Sequence, residues 1–240
     1  MIRAVLWDLD GTLVDSAAFH WRAWRDVMAE EGSPITHEQF VHSFGKRNDL
    51  ILSGWLGAGA DPERMRRLSD EKEARFRALV RAHGMEPLPG VRAWVARLHA
   101  EGWRLAIATS APRLNLETMV DALQMRHHFS ADVAAEDVTH GKPDPEVFLV
   151  AASRLGAEPR RSIVVEDAPI GIEAGKRAGM RTIGVSLMHA LRAADVYVGT
   201  LPELPADTFD TLLAREGSGS HIRSSSKAQL KRKMPSRIAP

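Results

Sequence analysis

Short runs of consecutive apolar residues punctuate this chain, and stretches of helical periodicity lie between them. Ile2–Trp7, Arg104–Ala108, Ala131–Ala134, Ser162–Val165, Thr182–Val185 and Asp195–Val198 are each four to six residues long. Runs of that length with little polar alternation read as strands covered on both faces, the kind found in parallel sheets. Val91, Trp94, Val95 and Leu98 recur at i, i+3, i+4 and i+7 between Gly90 and Gly102, which predicts a helix over Val91–Glu101. Asp144-Pro145-Glu146 supplies a cap, a first-turn proline and an acidic first turn for a helix ending near Gly156. A further helix, Ala168–Ala178, closes at Gly179. Strands and helices alternating at this spacing predict an α/β fold built on a doubly wound parallel sheet.

One stretch breaks the alternation. Between about Asp15 and Gly84 the pattern is helical and contains no convincing strand. Ser16–Glu31 places His20, Trp24, Val27, Met28 and Glu31 near one face, Thr36 with Gln39 reads as a capping box, and Asp61-Pro62-Glu63 opens a helix toward Val80. The expected organisation is therefore an α/β core over residues 1–14 and 85–215, with a small all-helical cap domain over 15–84 inserted after the first strand. Hinges are expected near Leu13–Asp15 and Gly84–Pro89. Residues 216–240 carry six Lys or Arg against one Glu, begin with a Gly/Ser run and lack apolar periodicity, so a disordered basic tail is expected.

Composition narrows the function classes. The 240 residues are 44% hydrophobic and 26% charged, as in an ordinary globular chain. Net charge is +1, but the tail hides a mildly acidic body with 26 basic and 30 acidic residues. Nucleic acid, which selects a basic face, is not an expected partner. The absence of cysteine excludes disulfides, thiolate nucleophiles and Cys-ligated zinc. No apolar run approaches the ~18 residues of a membrane span, and too little chain precedes Asp8 for a signal peptide. A cytoplasmic protein without a membrane partner is expected, with a monomer favoured.

The candidate chemistry lies where strands give way to loops, the place at which open α/β sheets bind ligands. Asp8 and Asp10, in Asp8-Leu9-Asp10-Gly11-Thr12, fall on the same side of the chain after the first strand. Crowded carboxylates repel unless a cation or a shared proton relieves them. Glu166-Asp167 follow a second apolar strand, and the four acids together could form an oxygen-rich pocket for Mg2+. Thr109-Ser110 follow a third strand and can donate hydroxyl and backbone N–H bonds to a phosphate. Lys142 sits in the stiff segment Gly141-Lys142-Pro143-Asp144-Pro145. Other signals are weaker. Gly171–Lys176 lacks the spacing and the Ser or Thr of a Walker A loop, and His37 and His42 are five apart rather than the four of a zinc-protease helix.

The segments DLDGTLVDS from Asp8, ATS from Ala108, GKPDPEVF from Gly141 and VVEDAPIGIEAGKRAGM from Val164 occur in that order. Together they resemble the four motifs of the haloacid dehalogenase (HAD) superfamily over roughly residues 2–205. The helical insert is similar to the cap of its phosphoglycolate phosphatase and β-phosphoglucomutase branch. The resemblance implies a Mg2+-dependent phosphatase in which Asp8 forms an aspartyl-phosphate and Asp10 is the general acid and base. It implies that Thr109 and Lys142 bind the phosphoryl oxygens, and that Asp8, the Asp10 carbonyl and Asp167, with help from Glu166, hold the metal.

The same resemblance aligns His20 with a histidine near the cap hinge and makes the Phe44–Asp49 loop a candidate to face the substrate. Mutases of this branch tend to carry a lysine before the loop glycine. Here Phe44 precedes Gly45, and Lys46-Arg47 follow it. Hydrolysis of a small phosphorylated metabolite, a sugar phosphate, is therefore favoured over β-phosphoglucomutase-type transfer, with Ser110, His20, Lys46 and Arg47 as substrate-binding candidates. A non-catalytic HAD-like binding module is the alternative of another class. Asp10 and the Glu166-Asp167 pair disfavour dehalogenase chemistry.

Overall fold

Ala4, Val5, Leu6 and Trp7 have no solvent-exposed surface. A strand buried in this way needs a bonded neighbour on each edge and an apolar layer on each face. The computed structural model, which describes residues 1–43, 45–57 and 59–214, supplies both. Strand β1 (Ala4–Trp7) pairs in parallel with β2 (Arg104–Ala108) on one side. On the other side it pairs in parallel with the strand over Ser162–Glu166. With β3 (Ala131–Val133) outside β2, that strand is β4, followed by β5 (Arg181–Val185) and β6 (Val196–Val198). All pairings are parallel and the order is β3-β2-β1-β4-β5-β6. The chain runs outward from β1 to β3 and then returns to the far side of β1, so the switch point falls beside β1.

Register sets what emerges there. Trp7 is level with Ile107 and with Val165, so Asp8, Ala108 and Glu166 reach the carboxyl edge of the sheet together. The Asp8 N–H donates to the Val165 carbonyl at 3.0 Å, extending the ladder by one residue. The strand β4 includes Glu166, whereas its apolar run ends at Val165.

Alternate strand residues face opposite layers. Val5, Trp7, Leu105, Ile107, Ile163 and Val165 pack with α5 (Val91–Ala100), α6 (Arg113–Leu123) and the helix over Thr208–Ala214. Ala4, Leu6, Ala106, Ala108 and Val164 pack on α7 (Glu146–Leu155) and α8 (Pro169–Arg177). The α/β expectation therefore holds. The helix expected from Pro145 starts one residue later, at Glu146, whose N–H is accepted by Asp144 Oδ1 at 3.0 Å.

Between β1 and α5 come four helices and, among the described residues, no strand: α1 (Ala17–Glu30), α2 (His37–Ser43), α3 (Asn48–Leu56) and α4 (Pro62–His83). They share an apolar cluster of Trp24, Val27, Met28, Phe40, Ile51, Leu52 and Leu68. The capping box forms: Thr36 N–H donates to Gln39 Oε1 at 2.7 Å and Gln39 N–H to Thr36 Oγ1 at 3.2 Å. The passages into and out of this segment lie together, with Leu88 N–H donating to the Leu13 carbonyl at 2.9 Å and Val14 bridging both Asp10 and Pro87. The expected tail and Phe44 lie outside the described residues. Among the described residues no helix is long and apolar enough to cross a membrane.

Phe148 of α7 is fully buried against the sheet, and the ammonium of Lys142 lies 4.9 Å from its ring centroid. Phe148→Ala should destabilise the protein by about 3–5 kcal/mol, from lost burial and the cavity left behind. A denaturant midpoint unchanged from wild type would contradict this placement of α7.

Candidate active site

All ten residues singled out from the sequence border one cavity of about 330 Å³ at the carboxyl edge of the sheet, between the sheet and α1–α4. At its floor Lys142 Nζ donates to Asp8 Oδ1 at 2.6 Å, to Glu166 Oε1 at 2.8 Å and to the Ala108 carbonyl at 3.3 Å. The loop that delivers this lysine is closed by Glu146, whose carboxylate accepts from the N–H groups of Thr139 and His140 at 2.8–3.0 Å. The acidic first turn of α7 thus holds the lysine loop as well as its own helix.

Two glycines let the acids converge. Gly11 has φ +86°, and a Cβ there would stand 2.2 Å from Asp167 Oδ2. A Cβ on Gly171 would stand 1.8 Å from Glu166 Oε1. Carboxylate oxygens of Asp8, Glu166 and Asp167 consequently lie within 4.8 Å of one another. Burial pushes the Asp8 carboxyl up, and Lys142 only partly offsets that, leaving it at about 7 rather than 3.8. Burial, with Glu166 and Asp8 as like-charged neighbours, takes Asp167 up to about 9. Lys142 is raised despite its own burial, because Asp8 and Glu166 stabilise its charge. Two buried acids and the half-buried Asp167 thus face one ammonium. Carboxylate oxygens in that number, crowded this closely, suit a hard divalent cation such as Mg2+.

Asp10 is arranged differently. Its carboxylate stands outside that trio, accepting from the Ser16 hydroxyl and meeting His20 Nε2 at 3.2 Å. Burial would raise its pKa, but the bonds from His20 and Ser16 outweigh it and hold the carboxyl below its usual range. Glu166 has both oxygens engaged, one by Lys142 and the other by Ala168 N–H at 2.7 Å. Thr109 is buried, its Oγ1 accepting from Ala111 N–H at 3.0 Å, which leaves the hydroxyl proton for a ligand. Lys46 and Arg47 line the opposite wall, and the Arg47 stem crosses Gly141, the residue before Lys142.

The motif segments and the sheet order find their counterpart in known proteins. The family model of the haloacid dehalogenase-like hydrolases matches residues 5–185. The chain belongs to that family. It is a phosphoric monoester hydrolase of the branch that contains phosphatases and β-phosphoglucomutase. This hydrolase is 32% identical to the fructose-1-phosphate phosphatase YqaB of Escherichia coli, over 77% of its own length and 96% of the relative's. It is 32% identical to hexitol phosphatase B of the same organism, over 85% and 95%. It also superposes on the crystal structure of β-phosphoglucomutase from Clostridium difficile with a TM-score of 0.80 and 25% identity, covering 89% and 98% of the two chains.

Several residues of this hydrolase escaped the sequence reading. His20 stacks on Phe76 at 4.0 Å, and its Nδ1 meets Lys72 Nζ at 2.8 Å. Lys72 and Glu73 are both buried and pair at 2.8 Å. A signal existed: Lys72 falls at i+4 from Leu68 and i−4 from Phe76, on the buried face of α4. In a helix so rich in charge that position passes for solvated surface. His37, set aside from the sequence, packs edge-on to Trp21 at 5.0 Å.

Asp8 and Asp167 hold protons more tightly in the folded chain than when free, so their contribution to stability weakens as pH rises toward 9. A cation bound there must displace those protons. Mg2+ affinity should therefore increase between about pH 6 and about pH 9, with proton release on binding. Calorimetry in two buffers of different ionisation heat measures both, and a pH-independent affinity would contradict the assignment.

Proposed function

We propose that this protein hydrolyses the phosphate monoester of a small phosphorylated sugar through a covalent intermediate on Asp8. The observation that carries the reading is the division of labour between two carboxylates two residues apart. Asp8 faces Lys142 at 2.6 Å, whereas Asp10 turns to Ser16 and His20. This difference supports reading Asp8 as the nucleophile, beside a fixed positive charge, and Asp10 as the proton carrier.

In the first step an Asp8 carboxylate oxygen bonds to phosphorus while the bond to the sugar oxygen breaks, and Asp10, ionised in the free protein and protonated as the phosphate anion approaches it, gives that oxygen its proton. In the second, Asp10 takes a proton from water, whose oxygen attacks phosphorus and frees Asp8 and inorganic phosphate. Lys142 and Thr109, with Ser110, hold the phosphoryl oxygens as charge moves. Asp8, the Asp10 carbonyl and Asp167, helped by Glu166, would hold Mg2+, which when bound supplies charge screening between carboxylate and phosphoryl group. The relatives named for fructose-1-phosphate and hexitol phosphatases support a sugar-sized substrate, and in this reading Lys46 and Arg47, which line the same cavity, contact it.

Inorganic phosphate release from a panel of sugar monophosphates with Mg2+ tests the reading. Asp8→Asn should reduce turnover by at least about a thousandfold while leaving the melting temperature near wild type. Substantial residual turnover in that variant would remove Asp8 from its role. Glucose 6-phosphate formed from β-glucose 1-phosphate, with little free phosphate, would replace hydrolysis by mutase transfer.

A further inference from the structure

The wall of the cavity opposite the sheet carries a preassembled hydrogen-bonding surface to which the chemistry above assigns no task. Ser69 and Glu73 lie one turn apart on α4 and share a face. Asn48, the first residue of α3, lies against both: its Nδ2 donates to Ser69 Oγ at 2.8 Å and to Glu73 Oε1 at 2.6 Å. Glu73 also accepts from Lys72 Nζ at 2.8 Å and from Asn115 Nδ2 of α6. Arg77 completes the set, its Nη1 donating to Asn115 Oδ1 at 3.0 Å. Asn48, Ser69 and Glu73 all border the cavity.

An ionised carboxylate only accepts hydrogen bonds, so Glu73 dictates how both amides face: each must turn its NH2 group inward. The far end of Asn115 is taken by Arg77. The Oδ1 of Asn48 has no protein partner among the described residues. Ser69 accepts from Asn48 and so keeps its own proton to donate. Three of the about four acceptor directions of Glu73 are filled, leaving one. The wall therefore offers acceptors and a donor side by side. Adjacent hydroxyl groups, each able to donate and accept, match it. An alkyl tail would strand these groups without water or partner.

We infer that Asn48, Ser69 and Glu73 read hydroxyl groups at the non-phosphorylated end of the substrate, and that this wall selects polyhydroxylated monophosphates over alkyl phosphates. The inference rests on the proposed hydrolysis at Asp8.

The test compares kcat/KM for phosphate release from two substrates in wild type, Ser69→Ala and Asn48→Ala. One is the best of a panel of hexose and hexitol 6-phosphates; the other is n-hexyl phosphate, of equal chain length without hydroxyls. Wild type should prefer the polyol phosphate by at least about a hundredfold, because a site built for hydroxyls rejects the analogue lacking them. In each variant that preference should fall by about threefold to tenfold as one contact is lost. A purely structural role would lower both substrates together and leave the ratio unchanged. An unchanged ratio, or a wild type indifferent to the two substrates, overturns this inference and leaves hydrolysis at Asp8 standing. Phosphate release from n-hexyl phosphate alone, or from no member of the panel, overturns the sugar-phosphate reading as well. If Asn48→Ala does not fold, Ser69→Ala decides alone.

Discussion

One buried ammonium organises this protein. Lys142 lies between Asp8 and Glu166, with Asp167 alongside, and all four charged groups are largely removed from water. Buried ions of this kind rarely repay their desolvation through mutual attraction, so the cluster is a poor source of stability. Its geometry is nevertheless enforced from several directions. The parallel register brings Asp8 and Glu166 to the same level, Gly11 and Gly171 leave room for the approach of Asp167 and Glu166, and Glu146 closes the loop that carries the lysine. An excess of acid over base survives all of this, which is why Asp8 and Asp167 hold protons well above the usual carboxylate range.

A second buried pair, Lys72 with Glu73, faces the first across the cavity. It is electrically balanced, and neutral amides, Asn48 and Asn115, take two further acceptor directions of Glu73. In the proposed reading the two clusters meet different ends of one molecule: a charge-dominated end for a phosphoryl group and a hydrogen-bonding end for hydroxyls. His20 joins them, with Asp10 on one ring nitrogen and Lys72 on the other. Burial and the Lys72 charge hold the His20 pKa below its ordinary value, which favours the neutral ring, and one tautomer can then donate to Asp10 while accepting from Lys72. Asn115 lies on α6, which packs on the sheet, and its bond to Glu73 ties α4 to that layer.

Much of this was legible in the linear chain because it depends on local physics. Apolar runs and helical periodicity report which faces are buried. Gly, Pro and acidic residues mark element ends, as Thr36 with Gln39 and Asp61-Pro62-Glu63 do. The acids at strand ends were legible too, since an Asp or Glu directly after a buried strand has few innocuous explanations. Less visible were Lys72, Glu73, Asn48, Ser69 and Ser16. Each is an ordinary helix or cap residue by composition. Only Lys72 left a trace, by falling between Leu68 and Phe76 on an apolar face.

By itself the sequence determined the elements, their alternation and the set of groups able to do phosphoryl chemistry, because strand and helix preferences act over a few residues. The tertiary structure alone decided which group meets which. Lys142 reaches Asp8 across 134 residues of chain and Lys72 reaches His20 across 52, distances over which no periodicity carries information. It also separated Asp10 from the other acids, since Ser16, the residue before α1, and His20, in the first turn of that helix, hold its carboxylate apart from theirs. Burial then set the protonation of each acid, and burial belongs to the folded whole rather than to any segment of it.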